Sequence, residues 1–108
     1  ININLIKLGM NSVTEPGGTA SFLGKNSSYK IAAKTGTAQV FGLKKNETYD
    51  EKILPEHLKD HALFIAYAPA GAPKLAIAII IENGGHGGSA AGPIAKKIFD
   101  AYLEKNYD

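Results

Sequence analysis

Cysteine is absent from the 108 residues, which removes disulfides, thiolate catalysis and cysteine-ligated zinc together. Its absence leaves the compartment open, because reducing and oxidising locations both tolerate cysteine-free chains. Also missing are a secretory leader and any run of about 18 apolar residues able to span a bilayer. Charge of one sign is scarce. Twelve basic and ten acidic residues leave a net charge of +2. No basic run is interleaved with aromatics, so electrostatics points to no nucleic acid or other polyanion. What is present is globular in composition, 44% hydrophobic and 20% charged, enough for one modest core and too short for two domains. The start at Ile1, without an initiator methionine, leads us to expect a piece of something longer.

Apolar positions Leu5, Ile6, Met10 and Val13 recur at helical spacing, predicting a short helix over Asn2 to Val13 that Glu15-Pro16-Gly17-Gly18 stops. Tyr29 to Val40 reads as a strand interrupted by Gly36. Gly42 to Asp60 is a polar excursion, with Pro55 opening a single turn at Glu56-His57-Leu58. His61 to Ala68 and Lys74 to Glu82 are apolar runs joined through Pro69 to Pro73, so they should form an antiparallel hairpin. Leu75 to Ile81 is apolar on both faces, which predicts a central strand covered on both sides, with the terminal helices as covers. Ala91, Ile94, Ala95, Ile98, Phe99, Tyr102 and Leu103 mark a final amphipathic helix. Ser89 or Gly92 is its candidate cap, and Pro93 is tolerable only in its first turn. The fold class expected is α/β (α+β): a three-stranded antiparallel sheet flanked by N- and C-terminal helices.

Lys34-Thr35-Gly36-Thr37 concentrates the chemistry. On a strand, Thr35 and Thr37 share one face, Lys34 points to the other, and Gly36 lets a ligand lie against the backbone. Such a wall can hold a carboxylate by hydroxyls and by charge.

Lys-Thr-Gly belongs to the signature set of penicillin-binding proteins and serine β-lactamases. Its setting here includes Glu15-Pro16-Gly17-Gly18-Thr19, Ala38-Gln39-Val40-Phe41-Gly42, Asn46-Glu47-Thr48-Tyr49 and Glu82-Asn83-Gly84-Gly85. With these flanks, roughly Leu5 to Tyr102 resembles the C-terminal part of the transpeptidase domain of the penicillin-binding protein 2 family, class B enzymes of bacterial cell elongation. The resemblance implies that residues 1–108 form a single partial domain of the penicillin-binding/β-lactamase-like fold. That fold has a five-stranded sheet, with the Lys-Thr-Gly strand lining the cleft and the last helix covering the back. The strands missing here would leave a sheet edge unpaired.

The same resemblance assigns roles. Lys34 would supply positive charge and assist proton transfer. Thr35 and Thr37 would bind the substrate carboxylate, the Thr37 backbone N–H would serve the oxyanion hole, and Gly36 would keep that backbone approachable. The implied activity is peptidoglycan D,D-transpeptidation, with stem peptides and β-lactams as ligands and no metal or cofactor. A membrane glycosyltransferase is the implied protein partner. The implied location is the periplasmic face of the inner membrane, with anchor and nucleophile outside this chain. Alternatives are a serine β-lactamase or D,D-carboxypeptidase, which share the motif, and a non-catalytic penicillin-sensing or interaction module. The Ala38 to Gly42 and Glu82 to Gly85 flanks favour the elongation transpeptidase.

Four other constellations have simpler readings. Ser27-Ser28-Tyr29-Lys30 has Ser-x-x-Lys spacing but sits in a loop feeding a strand, not on a helix that would bring amine and hydroxyl together. Gly85-His86-Gly87-Gly88-Ser89-Ala90 matches a dinucleotide-binding glycine pattern, yet no second strand with a terminal acid follows. These glycines are expected to border the cleft, with His86 a loop residue. His57 and His61 are four apart, but no third metal ligand is apparent. Asp50, Glu51 and Glu56 read as solvated charges.

Overall fold

Three strands form one antiparallel sheet in the order β1-β2-β3: β1 (Ala32–Ala38), β2 (His61–Ala68) and β3 (Leu75–Ile81). They are seen in a computed structural model that describes residues 1–25, 27–40 and 55–104. Helix α1 (Asn2–Ser12) precedes the sheet and α2 (Gly87–Leu103) follows it, with one-turn 3-10 helices at Ser21–Gly24 and Glu56–Leu58. The expected fold class is borne out, as is the single turn after Pro55.

Register decides which residues share a face. Thr35 lies opposite Phe64 and Thr37 opposite Ala62, while Phe64 and Ala62 lie opposite Ile79 and Ile81. Helix α2 covers this face, and the core forms between Ala33, Phe64, Ala66 and Ala68 of the sheet and Ala91, Ala95 and Phe99 of the helix. Alanines on both sides let helix and sheet approach closely, so the bulk of the core falls to Phe64, Phe99 and Ile31, the largest fully buried side chains. Burying each contributes about 1.5–3 kcal/mol relative to exposure.

The other face runs through Lys34, Gly36, Leu63, Ile65, Ala78 and Ile80. It corrects one expectation. β3 is an edge strand among the described residues and β2 is the central one, and Ile80 is 67% and Ile65 50% exposed. Among the described residues helix α1 packs on β1 and buries none of its own residues; its Met10 lies beside Ile65, Ala76 and Ala78, but Ile80 of β3 stays uncovered. The two-sided apolar pattern of Leu75–Ile81 thus calls for a cover that the described residues do not supply.

Boundaries also differ, most at β1, which ends at Ala38 short of Val40, and at the start of α2. β1 starts at Ala32 rather than Tyr29, because Tyr29 turns toward α2, where its hydroxyl donates to Asp100. Helix α2 starts at Gly87, so Pro93 is inside it and not in the first turn. The ring removes the N–H that would bond back to Ser89. The helix nevertheless begins early because Gly87 and Gly88 fit flush against the sheet, as described below. Neither Ser89 nor Gly92 is the cap; His86 holds that position with no side-chain cap bond. Phe41, Gly42, Asn46 to Tyr49, Asp50 and Glu51 lie outside the described residues.

Candidate active site

Among the described residues β1 is one of the two outer strands of the sheet, and its outer edge carries the Lys34-Thr35-Gly36-Thr37 backbone. The alternation expected from the sequence is observed. Thr35 and Thr37 face the α2 side, and Lys34 faces the opposite side beside Leu63 and Ile65. The Lys34 ammonium is exposed and donates to the carbonyl oxygen of Thr35. A ligand lying along this edge therefore meets a cation on one flank and two hydroxyls on the other.

The hydroxyl flank is a recess of about 340 Å³ lined by Thr19, Thr35, Thr37, His86, Gly87, Gly88 and Ser89. Its walls come from three separate segments, and each is held by identifiable contacts. Thr19 ends the turn after Pro16, and its hydroxyl oxygen lies 3.3 Å from that of Thr35. The turn is fixed from below by Thr14, whose buried hydroxyl donates to the Ile31 carbonyl at 2.6 Å.

The third wall is the first turn of α2, and glycine is required there. A Cβ on Gly87 would lie 2.1 Å from the Leu63 carbonyl oxygen and 2.7 Å from that of Gly36. A Cβ on Gly88 would lie 3.1 Å from the Thr19 carbonyl oxygen and 3.4 Å from the Thr35 methyl. The glycines border the recess as expected, and they serve close approach of the helix to β1 and not to a nucleotide.

Asn83 explains how the chain reaches this point. It adopts a left-handed conformation (φ 54°), its amide N–H donates to His61 Nδ1 at 2.9 Å, and its side chain donates to the carbonyls of Lys59 (2.7 Å) and His57 (3.3 Å). Gly85 donates to the Asp60 carbonyl with a φ of 84°. The Glu82 to Gly85 segment is thus a clasp that turns the chain from β3 into α2. His57 on a 3-10 turn and His61 on β2 do not share a helix, and His61 Nδ1 is occupied by the clasp.

The approach to β1 is clipped to the far end of α2. The Tyr29 hydroxyl donates to Asp100, Lys96 bonds Asp100 at 2.6 Å, and the Lys96 ammonium sits 4.7 Å from the centre of the Tyr29 ring. Burial, followed by the hydrogen bond and negative charge of Asp100, pushes the Tyr29 hydroxyl well above its ordinary value. Burial pushes the Asp100 carboxyl up, but the hydrogen bonds from Lys96 and Tyr29 and the Lys96 charge outweigh it, leaving a net fall. Ser27 and Lys30 take no catalytic arrangement. Ser27 donates to the Tyr29 carbonyl at 2.6 Å, and Lys30 pairs with Glu15 at 3.2 Å.

Residues 2–100 match the family model of the penicillin binding protein transpeptidase domain. The chain belongs to that transpeptidase family. It is 50% identical over 97 residues to the peptidoglycan D,D-transpeptidase MrdA of Escherichia coli strain K12, covering 89% of this chain and 15% of that protein. Its fold is similar to penicillin-binding protein 2 of Pseudomonas aeruginosa, solved with WCK 5153: the TM-score is 0.73 at 38% identity, over 94% of this chain and 19% of the other. Penicillin-binding protein 2 of Helicobacter pylori, solved in complex with MreC, is similar with a TM-score of 0.70 at 31% identity, over 91% of this chain and 16% of the other. The chain spans about one seventh of the length of the curated relatives it matches, 15% for the E. coli transpeptidase. Sequence resemblance to the penicillin-binding protein 2 family is thereby borne out.

Thr19 and Ser89 line the recess although sequence reasoning assigned neither a site role. Thr19 was part of a recognised flank but carried no role; two glycines after a proline, followed by a hydroxyl residue, were the available signal.

Proposed function

We propose that this chain is the C-terminal, Lys-Thr-Gly-bearing part of a serine peptidoglycan D,D-transpeptidase of cell elongation. In that reaction a serine Oγ attacks the penultimate D-Ala carbonyl of one stem peptide. The terminal D-Ala leaves with the proton, and an amine of a neighbouring stem peptide then displaces the serine to form the cross-link. The serine lies outside residues 1–108, since Ser27-x-x-Lys30 is a loop engaged elsewhere.

The observation that carries this reading is the distribution of groups about the free edge of β1. The Thr35 and Thr37 hydroxyls face a polar recess on one side, where a substrate or β-lactam carboxylate would be held. Lys34 is on the other side, where it would lower the cost of deprotonating an incoming serine. The Thr37 N–H would donate to the oxyanion, a contribution of about 3 kcal/mol at the transition state. The relatives above are named transpeptidases, which favours this reading over a β-lactamase or carboxypeptidase. By the same kinship the parent protein would act at the periplasmic face of the inner membrane beside a glycosyltransferase.

The test is acylation of the parent protein by a fluorescent penicillin, followed by peptide mapping. A single adduct on a serine outside this chain, with acylation reduced at least about a hundredfold by Lys34→Ala, is the expected result. The 108-residue chain alone should take no label and release no D-Ala. An adduct on Ser27 or Ser28 would overturn the assignment.

A further inference from the structure

Thr35 does not stand alone in the recess. A threonine hydroxyl has one proton to give and two lone pairs to accept with, so a Thr35 that donates to a ligand carboxylate still has an acceptor position to fill. Thr19 Oγ1, 3.3 Å away, is placed to fill it. We propose that Thr19 is a positioning residue for carboxylate recognition: it donates to Thr35 and so aims the Thr35 proton at the ligand. This rests on the reading of Thr35 given above and assigns its partner.

Three features make Thr19 a fixed donor. The neighbouring Ala20 is fully buried and its N–H donates to the Val13 carbonyl at 2.9 Å, closing the turn. Gly18 admits no side chain, a Cβ there lying 2.2 Å from the Val13 oxygen, so the turn cannot slide. Gly88 abuts both the Thr19 carbonyl and the Thr35 methyl, so the first turn of α2 backs the pair from behind. Threonine itself is stiff at χ1, which narrows the hydroxyl positions each side chain can take. A relay from one rigid hydroxyl to another is also mutually polarising, strengthening the bond that Thr35 makes outward. Locking the orientation of a ligand-binding group through a neighbouring side chain is the general route to a precise site.

The experiment measures the second-order acylation rate of the full-length parent protein by a carboxylate-bearing penicillin, resolved into pre-acylation affinity and acylation rate constant. The proteins are Thr19→Val, Thr19→Ser, Thr35→Val and the Thr19→Val/Thr35→Val pair. Thr19→Val, nearly isosteric without the hydroxyl, should lower the rate about threefold to tenfold, the worth of one neutral hydrogen bond, with the loss in affinity. Thr19→Ser should restore it, and Thr19→Val should add almost nothing to Thr35→Val, because the contact works only through Thr35. The proposal is overturned if Thr19→Val leaves acylation unchanged while Thr35→Val lowers it. It is equally overturned if Thr19→Val costs as much in the Thr35→Val background, or if Thr19→Ser does not rescue, since either outcome marks a merely structural role. Should Thr35→Val itself change nothing, the carboxylate assignment of Thr35 fails, and this inference with it.

Discussion

Gly87 of α2 sits directly above the Gly36 backbone of β1, close enough that a Cβ on Gly87 would lie 2.7 Å from the Gly36 carbonyl oxygen and 3.0 Å from its nitrogen. The atoms in the way are backbone atoms of a paired strand, which cannot swing aside as a side-chain tip would. The helix start and the Lys-Thr-Gly strand are therefore one mechanical unit.

Gly87→Ala should force the first turn of α2 away from β1 and open the recess under Thr35 and Thr37. The expected cost is about 1–3 kcal/mol of folding stability, the range for overpacking a close contact. Acylation of the parent protein should fall with it. Ser89→Ala is the control for stability alone, because Ser89 is exposed and, among the described residues, its hydroxyl bonds the His86 carbonyl at 3.3 Å. Equal melting of Gly87→Ala and wild type would refute the contact.

Thr14 is 2% exposed and its hydroxyl satisfies the carbonyl of Ile31 just before β1. Thr14→Val keeps the shape and leaves that buried carbonyl unpaired. A loss of about 1–3 kcal/mol is expected, with Thr14→Ser retaining most of the stability. Urea unfolding at constant m-value checks it; a neutral Thr14→Val would show that the carbonyl finds another partner.

How far the sequence foretells this arrangement depends on the range of the interactions. β2, β3 and α2 were legible because the apolar runs of the two strands and the period-3.6 pattern of the helix are local, and the Thr35/Thr37 versus Lys34 alternation follows from strand geometry alone. The edge position of β3 was not, since a two-sided apolar strand looks central whether or not its second cover is within the chain. Pro93 misled the placement of α2: the tight seat of Gly87 on Gly36 joins residues 51 apart, and no local rule weighs it against a proline. The Thr19–Thr35 and Tyr29–Asp100 pairs, 16 and 71 residues apart, are likewise tertiary.

The clip at Tyr29 makes stability depend on pH at both extremes. Asp100 is held below its ordinary value of 3.8, so its contribution is present above that pH and lost as the pH falls through the lowered value. Tyr29 is raised above 10.0, so its contribution is present below pH 10.0 and lost as the pH climbs above it. Asp100→Asn should flatten the acid limb and weaken the alkaline one. Tyr29→Phe should weaken the alkaline dependence and keep part of the acid limb, because Lys96 still pairs with Asp100. Denaturant melts across the pH range test this, and parallel curves for wild type and both variants would contradict it.

The open sheet face sets the behaviour of the 108-residue chain by itself. Ile65 and Ile80 stand on the face opposite α2, on adjacent strands, with Leu63 and Ala78 beside them. Apolar surface of this kind drives association when nothing covers it. The isolated chain should therefore sediment as oligomers at micromolar concentration. Ile80→Lys with Ile65→Thr should shift it toward monomer. Threonine is chosen at 65 because that position lies opposite Lys34, where a second lysine would repel across the strands. Both side chains are at least half exposed, so the change in stability should stay near 0.5 kcal/mol per site. Unchanged sedimentation in the double variant would move the cause of association to the free edge of β1 or β3, where backbone pairing and not apolar contact is the driving force.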